Sequence, residues 1–352
     1  MKIIMLVNWE INYLQADCGN VQSPNKFVKG EKYWFFRYWP EKDVDVDVID
    51  FSSVPLFHDI EKRFFKFYIL QAFRAFFKMK KYDLVISHGA QSGLVLGLMR
   101  RLCGINAPPH IIIDIGCFNG GRNREYELAP IRFAARSISG VVYHSAVQEG
   151  YYRRYLPFLK TRFIPFGVDT EFFFPENIEK GSYVLSVGYV KRDYVTLLEA
   201  WAGLQRGKTT LKIVGIKKGI LRGIPDGVEL SGMVPVNEFK KMVAGAKFII
   251  LPLPFYKYSY GQMTLLQSMA MAKAVIITRT PSTEDYILDG KSALFVEPYN
   301  VDDMKNKIEF LLNNPLLIAE LETGARNTVM QKFNEKNMAE NIYKFVKEIL
   351  SC

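Results

Sequence analysis

Gly261 is followed by Gln262, Met263, Thr264, Leu265 and Leu266, so a helix is expected to start there with no acidic side chain in its first turn. The unpaired N–H groups of such a start, with the positive end of the dipole behind them, suit an anion and above all a diphosphate. The same pattern also fits an ordinary turn of an α/β chain that binds nothing. Lys191 and Arg192 stand just before the apolar run of Thr196–Trp201. A guanidinium there offers forked donors to phosphate oxygens. Lys217 and Lys218 follow Val214-Gly215 and are a second basic pair beside the same set of strand ends. Asp114 closes the run HIIID, while His88 and His144 each stand at the end of another apolar run. Strand C-termini line the crevice of open α/β sheets, so Asp114 and His88 are the candidates to orient or deprotonate a substrate group. Asp114 equally suits a turn cap, and a lone histidine more often serves structure. Gly120, Gly121 and Arg122 read as a basic loop able to close over substrate, and Gly19 as a loop glycine after strand one.

The elements that must position these groups alternate along the chain. Lys2–Val7, Val44–Asp50, Asp83–Ser87, His110–Asp114 and Gly140–His144 read as strands separated by helical patterns. The rhythm restarts at Tyr183–Val187 and continues through Thr210–Val214, Val228–Leu230, Lys247–Leu251, Ala274–Thr278 and Ala293–Val296. Continuous apolar strands between helices predict parallel sheets covered on both faces. Phe163–Pro175 (FIPFGVDTEFFFP) is the hinge candidate, and Asn334–Leu350 reads as a long amphipathic helix.

The stretch Ser259–Pro298 carries a resemblance. Ser259, Tyr260-Gly261-Gln262, Met263-Thr264-Leu265-Leu266, Gln267-Ser268-Met269-Ala270 and Lys273-Ala274-Val275-Ile276 fall without a gap on the frame of a known donor-site helix. That helix belongs to the family-four glycosyltransferases of GT-B fold, whose pattern is Glu, Gly-Phe-Gly, an apolar run, Leu-Leu-Glu-Ala-Met-Ala, Gly and Pro-Val-Ile. Both glutamates of that pattern are replaced here, by Ser259 and Gln267. Ile164-Pro165-Phe166-Gly167-Val168-Asp169 resembles the family hinge, and Asp285 with Asp289-Gly290 resembles the loop after the donor helix. Leu185–Trp201 resembles the strand, loop and helix that supply phosphate ligands, and Arg192 falls on the family lysine, while Gly188-Tyr189 replaces Gly-Arg.

The resemblance implies an α/β chain of GT-B architecture: two Rossmann-like, doubly wound domains facing a cleft, with the C-terminal helix crossing back to the first. The domains implied are 1–166 with 334–352, for the acceptor, and 167–333, for the donor. The implied activity is transfer of a sugar from a nucleoside diphosphate sugar to an acceptor hydroxyl, with retention. The donor would be held by Gly188, Lys191, Arg192, Lys217, Met233, Val234, Ser259, Tyr260, Gly261, Gln262, Met263, Thr264 and Gln267. Such relatives use basic residues and helix N-termini in place of a metal, and neither metal nor cofactor is expected. Two other readings remain: a non-catalytic sugar-nucleotide-binding scaffold on the same fold, and a nucleotide-sugar epimerase.

Composition narrows the setting. The 352 residues suit two domains and carry a net charge of +10. The first 165 residues hold 23 basic against 15 acidic side chains, so the positive field belongs mainly to that half. No recognisable nucleic-acid motif accompanies the charge, and no nucleic-acid partner is expected. The four cysteines are scattered, which fits a reducing cytoplasm and no zinc site. MKIIMLVNWE reads as a buried strand rather than a signal peptide, and no apolar run reaches a membrane-spanning length. Glu61–Lys81 (EKRFFKFYILQAFRAFFKMKK) combines aromatic spacing with seven basic residues against one acid. That composition suits either a helix lying on an anionic membrane surface, with a lipid-linked or glycan acceptor, or a plain sheet-covering helix.

Overall fold

A computed structural model describes the chain apart from residues 18, 51–67, 117, 119–122, 189–190, 217–218 and 352. Lys217, Lys218, the loop glycines Gly120 and Gly121 with Arg122, and residues 61–67 of the basic segment lie outside the described residues. The chain divides into two units, Met1–Pro165 with Lys336–Cys352, and Phe166–Glu335.

The first unit is built on β1 (Lys2–Leu6), β4 (Asp45–Ile49), β5 (Leu84–His88), β6 (His110–Asp114), β7 (Gly140–Tyr143) and β8 (Lys160–Phe163). Two short strands, β2 (Asn12–Leu14) and β3 (Lys26–Val28), pair apart from it. The main sheet runs β4-β1-β5-β6-β7-β8 and every pairing is parallel. Helices α1 (Ile69–Lys78), α2 (Ala90–Leu102), α3 (Glu125–Ala135) and α4 (Glu149–Tyr155) follow β4, β5, β6 and β7. Ile112, Val141 and Tyr143 pack on one face, and Ile4, Leu6, Ile49 and Val85 on the other. Buried strand residues need helices on both sides, and this is why the strands read as unbroken apolar runs.

The second unit repeats the plan with β9 (Tyr183–Val187), β10 (Thr210–Val214), β11 (Val228–Ser231), β12 (Ile249–Leu251), β13 (Val275–Thr278) and β14 (Leu294–Val296). Its parallel order is β11-β10-β9-β12-β13-β14, the arrangement of a dinucleotide-binding sheet. Strand residues sort with period two. Leu185, Ile249, Leu251, Val275 and Ile277 join α6 (Val236–Gly245) and α7 (Gln262–Ala270) in one cluster. Val184, Ile213, Ile250 and Ile276 join α5 (Tyr194–Ala202) and α8 (Val301–Asn313) in the other. Helix α9 (Pro315–Lys332) completes this unit.

The last helix, α10 (Glu335–Leu350), belongs to the first unit from Lys336 onward. Met338, Ala339, Ile342, Phe345, Val346 and Ile349 form its buried stripe, at the spacing of one helical face. Trp39 Nε1 donates to the Ala339 carbonyl at 3.1 Å, and Arg162 holds Glu348 through two bonds of 2.9 and 2.7 Å. No helix among the described residues is long and apolar enough to cross a membrane.

Candidate functional site

In each sheet the chain reverses its direction of winding once, and the crevice outside the strand ends at that point is where ligands bind in open α/β folds. In the second unit this point lies between β9 and β12. The loop after β9 carries Gly188, Lys191 and Arg192, and the loop after β12 leads into Gly261 and α7. Gly261 is the N-cap, in the left-handed region at φ 84°, and the first turn of α7 holds no acid. Tyr260 ties the two loops. Its hydroxyl donates to the Lys191 carbonyl at 2.6 Å and accepts from Arg192 Nη1 at 3.2 Å. The Lys191 ammonium lies 3.6 Å from the centroid of Tyr256 and 5.5 Å from that of Tyr260. Arg192 Nε donates to the Val187 carbonyl at 3.0 Å, folding the guanidinium back over Gly188. A Cβ on Gly188 would stand 2.3–2.4 Å from three guanidinium atoms, and Gly188 itself has φ +134°. Gly188 therefore makes room for Arg192. Two cations and a helix N-terminus converge on one place, a setting for a polyanion.

The reversal in the first unit falls between β1 and β5, where Asn8 and Trp9 meet His88 and Gly89. His88 is buried, and neither ring nitrogen has a hydrogen-bond partner. Trp9 and Trp34 pack their rings 4.8 and 5.2 Å from it. Burial, and secondarily His144, pushes the His88 imidazole down to about 3, so it is neutral at pH 7. Burial likewise lowers His144 to about 4, and its Nδ1 meets the Ile164 carbonyl at 2.7 Å.

Asp114 departs from the expectation of a catalytic base. It is wholly buried, and its Oδ1 accepts from the N–H groups of Gly116 and Phe118 at 3.0 and 3.4 Å. Its Oδ2 accepts from Gln148 Nε2 and the Tyr152 hydroxyl, both at 2.7 Å. These four bonds occupy the acceptor capacity of a carboxylate, so Asp114 fixes the loop after β6 to α4. Gly19 sits in an exposed turn in which its N–H meets Asp17 at 2.9 Å.

Residues 181–314, most of the second unit, match the model of the family described as Glycosyl transferases group 1. The chain is 30% identical over 87 residues to the poly(ribitol-phosphate) alpha-N-acetylglucosaminyltransferase of Staphylococcus aureus (strain COL), covering 24% of this chain and 17% of that protein. Matches to the curated relatives span 17%, 34% and 32% of their lengths. Over 99% of both chains the fold is that of sucrose-phosphate synthase from Thermosynechococcus elongatus, with a TM-score of 0.72 at 17% identity. Anabaena HepE, solved with UDP and glucose, aligns over 99% of this chain and all of its own, with a TM-score of 0.70 at 14% identity. The architecture is thus the two-sheet GT-B class.

Within the group 1 segment, the remaining expected donor residues are spread along the same strand ends. Gln262 turns its side chain inward to the Ser282 carbonyl, leaving its backbone in the first turn of α7. Met263 is exposed and Thr264 half-buried on the next positions. Ser259 and Gln267 are half-buried, before and within the helix. Met233 is 70% exposed and Val234 packs at the rim of the core, both beyond the edge strand β11. Asp289 is engaged in structure: Oδ1 accepts from the Phe295 N–H and Oδ2 from Arg279, each at 3.0 Å. Asp285 is half-buried in the turn before it. Sequence reasoning missed Tyr256 against Lys191, and missed Asn8 and Trp9 at the β1 end. The dipeptide Asn-Trp directly after the first strand was the available signal for the latter.

Proposed function

We propose that the chain transfers a sugar from a nucleoside diphosphate sugar to an acceptor hydroxyl, with retention at the anomeric carbon. The observation that carries this is the convergence of Arg192, Lys191 and the acid-free N-terminus of α7 at the reversal point of the group 1 segment. In this reading the bond from anomeric carbon to diphosphate oxygen breaks and a bond to the acceptor oxygen forms. The nucleoside diphosphate leaves with the acceptor hydroxyl's proton on its departing oxygen and its remaining charge met by the Arg192 guanidinium and the N–H groups of Gln262, Met263 and Thr264, with no metal required. The acceptor binds the first unit, where the neutral His88 imidazole accepts a hydrogen bond from its hydroxyl. Ser259 and Gln267 hydrogen-bond sugar and ribose hydroxyls as neutral partners, weaker than carboxylates. The UDP and UDP-glucose held by HepE support a nucleotide sugar as donor.

The acceptor is proposed to be lipid-linked or a growing glycan, met at an anionic membrane surface. Ile69, Phe73 and Phe77 are exposed at four-residue spacing on α1, and Lys78, Lys80 and Lys81 follow without an acid. Such a stripe with flanking cations suits an anionic interface. A protein at the cytoplasmic face is the corresponding location.

Thermal unfolding with UDP, GDP, ADP and dTDP and their sugars tests the donor site. One of them is expected to raise the midpoint by several degrees and to be slowly hydrolysed. Stabilisation without turnover, with lipid and glycan acceptors present, would instead mark a binding scaffold. No stabilisation by any of them would remove the donor site.

A further inference from the structure

A polar cavity lies in the first unit. It has a volume of about 280 Å³ and is lined by Ser23, Lys26, Val28, Glu31, Lys32, Trp34 and Arg37. That volume is near the lower end for small-molecule pockets and suits one ring with a substituent. Lys26 is committed to Asp17 at 2.5 Å. Lys32 is different: its ammonium donates to the carbonyls of Trp39 and Glu41 at 3.1 and 2.5 Å. Carbonyls fix its position and leave its net charge in place, with a third N–H still to be used. Arg37 adds a guanidinium charge on the same wall, its Nη2 donating to the Tyr38 hydroxyl at 2.8 Å, and Glu31 is the one carboxylate among the described lining residues.

The wall also contains a strained residue. Trp34 has φ 45°, a left-handed value that a bulky side chain adopts only where its surroundings hold it. It is buried, and its ring sits 5.2 Å from His88 and 5.6 Å from Trp9, at the end of β5 and of β1. The strain therefore places one indole both on the cavity wall and against the histidine at the sheet's reversal point.

We propose that this cavity binds a sugar ring carrying an anionic group, phosphate or carboxylate, with Lys32 and Arg37 on the anion and the Trp34 indole against the ring. Ring C–H groups pack on an aromatic face, and the fixed ammonium supplies a charge-assisted hydrogen bond. That the bound sugar is the acceptor rests on the transfer reading above; that the cavity binds it does not. The neighbourhood of Trp34 and His88 is what makes the acceptor role follow.

The test is calorimetric titration of the full chain, without nucleotide, using glucose 6-phosphate, glucuronate, glucose and inorganic phosphate. At least one of the two anionic sugars is expected to saturate, with glucose and phosphate each at least tenfold weaker. The stronger of the two tells phosphate from carboxylate. Lys32→Met and Arg37→Gln should each weaken that sugar tenfold or more while UDP titrates as in the parent, which also reports that the fold is intact. Arg37→Gln keeps the test open if Lys32→Met disturbs its loop. No binding of either anionic sugar, equal binding of glucose, equal binding of phosphate, or undiminished binding by Arg37→Gln would each overturn the proposal. Failure of the sugars with UDP still bound sinks the cavity alone. Failure of UDP with the sugars still bound sinks the donor site alone.

Discussion

Gly188→Ala is the sharpest perturbation of the donor loops. The new Cβ would meet Arg192 Nη2, Cζ and Nε at 2.3–2.4 Å, where ordinary contact begins near 3.4 Å. The guanidinium must then retreat by roughly 1 Å, breaking its bonds of 3.0 Å to Val187 and 3.2 Å to Tyr260. A charged hydrogen bond contributes about 1.5–3 kcal/mol, so losing Arg192 from its place should weaken nucleoside diphosphate binding by about 10- to 100-fold. The left-handed φ at this position adds about 1–3 kcal/mol of strain to the folded state alone. Titration with the best-binding diphosphate and urea unfolding measure the two effects separately. Arg192→Ala should lose as much affinity as Gly188→Ala, and the double variant should lose little more than Arg192→Ala. Parent-like affinity in Gly188→Ala, or a full second loss in the Arg192→Ala background, would refute the reasoning.

Tyr260→Phe removes the hydroxyl that joins Lys191 to Arg192, and at about 1 kcal/mol per bond the diphosphate should bind roughly five- to thirtyfold more weakly; unchanged affinity removes the tether. His88 and His144 are held neutral with folded values of about 3 and about 4, below the unfolded value of 6.5. Their stabilisation is therefore complete above pH 6.5 and is lost as pH falls towards 4, by about 1.4 kcal/mol per unit for each ring. Urea unfolding at pH 7 and pH 5 should show about 2 kcal/mol less acid loss in His88→Phe than in the parent, and an equal loss would contradict the buried neutral ring. Phe73→Ser with Phe77→Ser, both exposed on α1, should abolish sedimentation with anionic vesicles while leaving thermal unfolding nearly unchanged; full sedimentation would end the membrane reading.

The strands were legible because burial on both faces leaves an apolar run with little ambiguity. His110–Asp114, Tyr183–Val187 and Thr210–Val214 fall where the sequence places them. Lys160–Phe163 escaped because it is the edge strand: KTRF is half-exposed and shows neither an apolar run nor alternation. The start of α7 was readable from Gly261 and the acid-free turn, both local signals. Sequence left two roles open for Asp114 because what distinguishes them is remote: Gln148 and Tyr152 stand 34 and 38 residues away. The Tyr260 link to Arg192 spans 68 residues and is equally invisible to spacing rules. Trp34 gave no sign of strain because tryptophan in a left-handed conformation is a property of the packed backbone, not of composition.

Gly188 and Arg192 have a consequence for how this site can drift over generations. The volume a side chain would fill at one position is the volume the guanidinium fills at the other. Selection therefore acts on them as one heritable unit five residues long. While the arginine is folded back, every side chain at 188 is purged; once the arginine is lost, steric pressure on 188 lifts and only its backbone angle restrains it. Among descendants of such a loop, glycine and a folded-back arginine should be inherited or abandoned together.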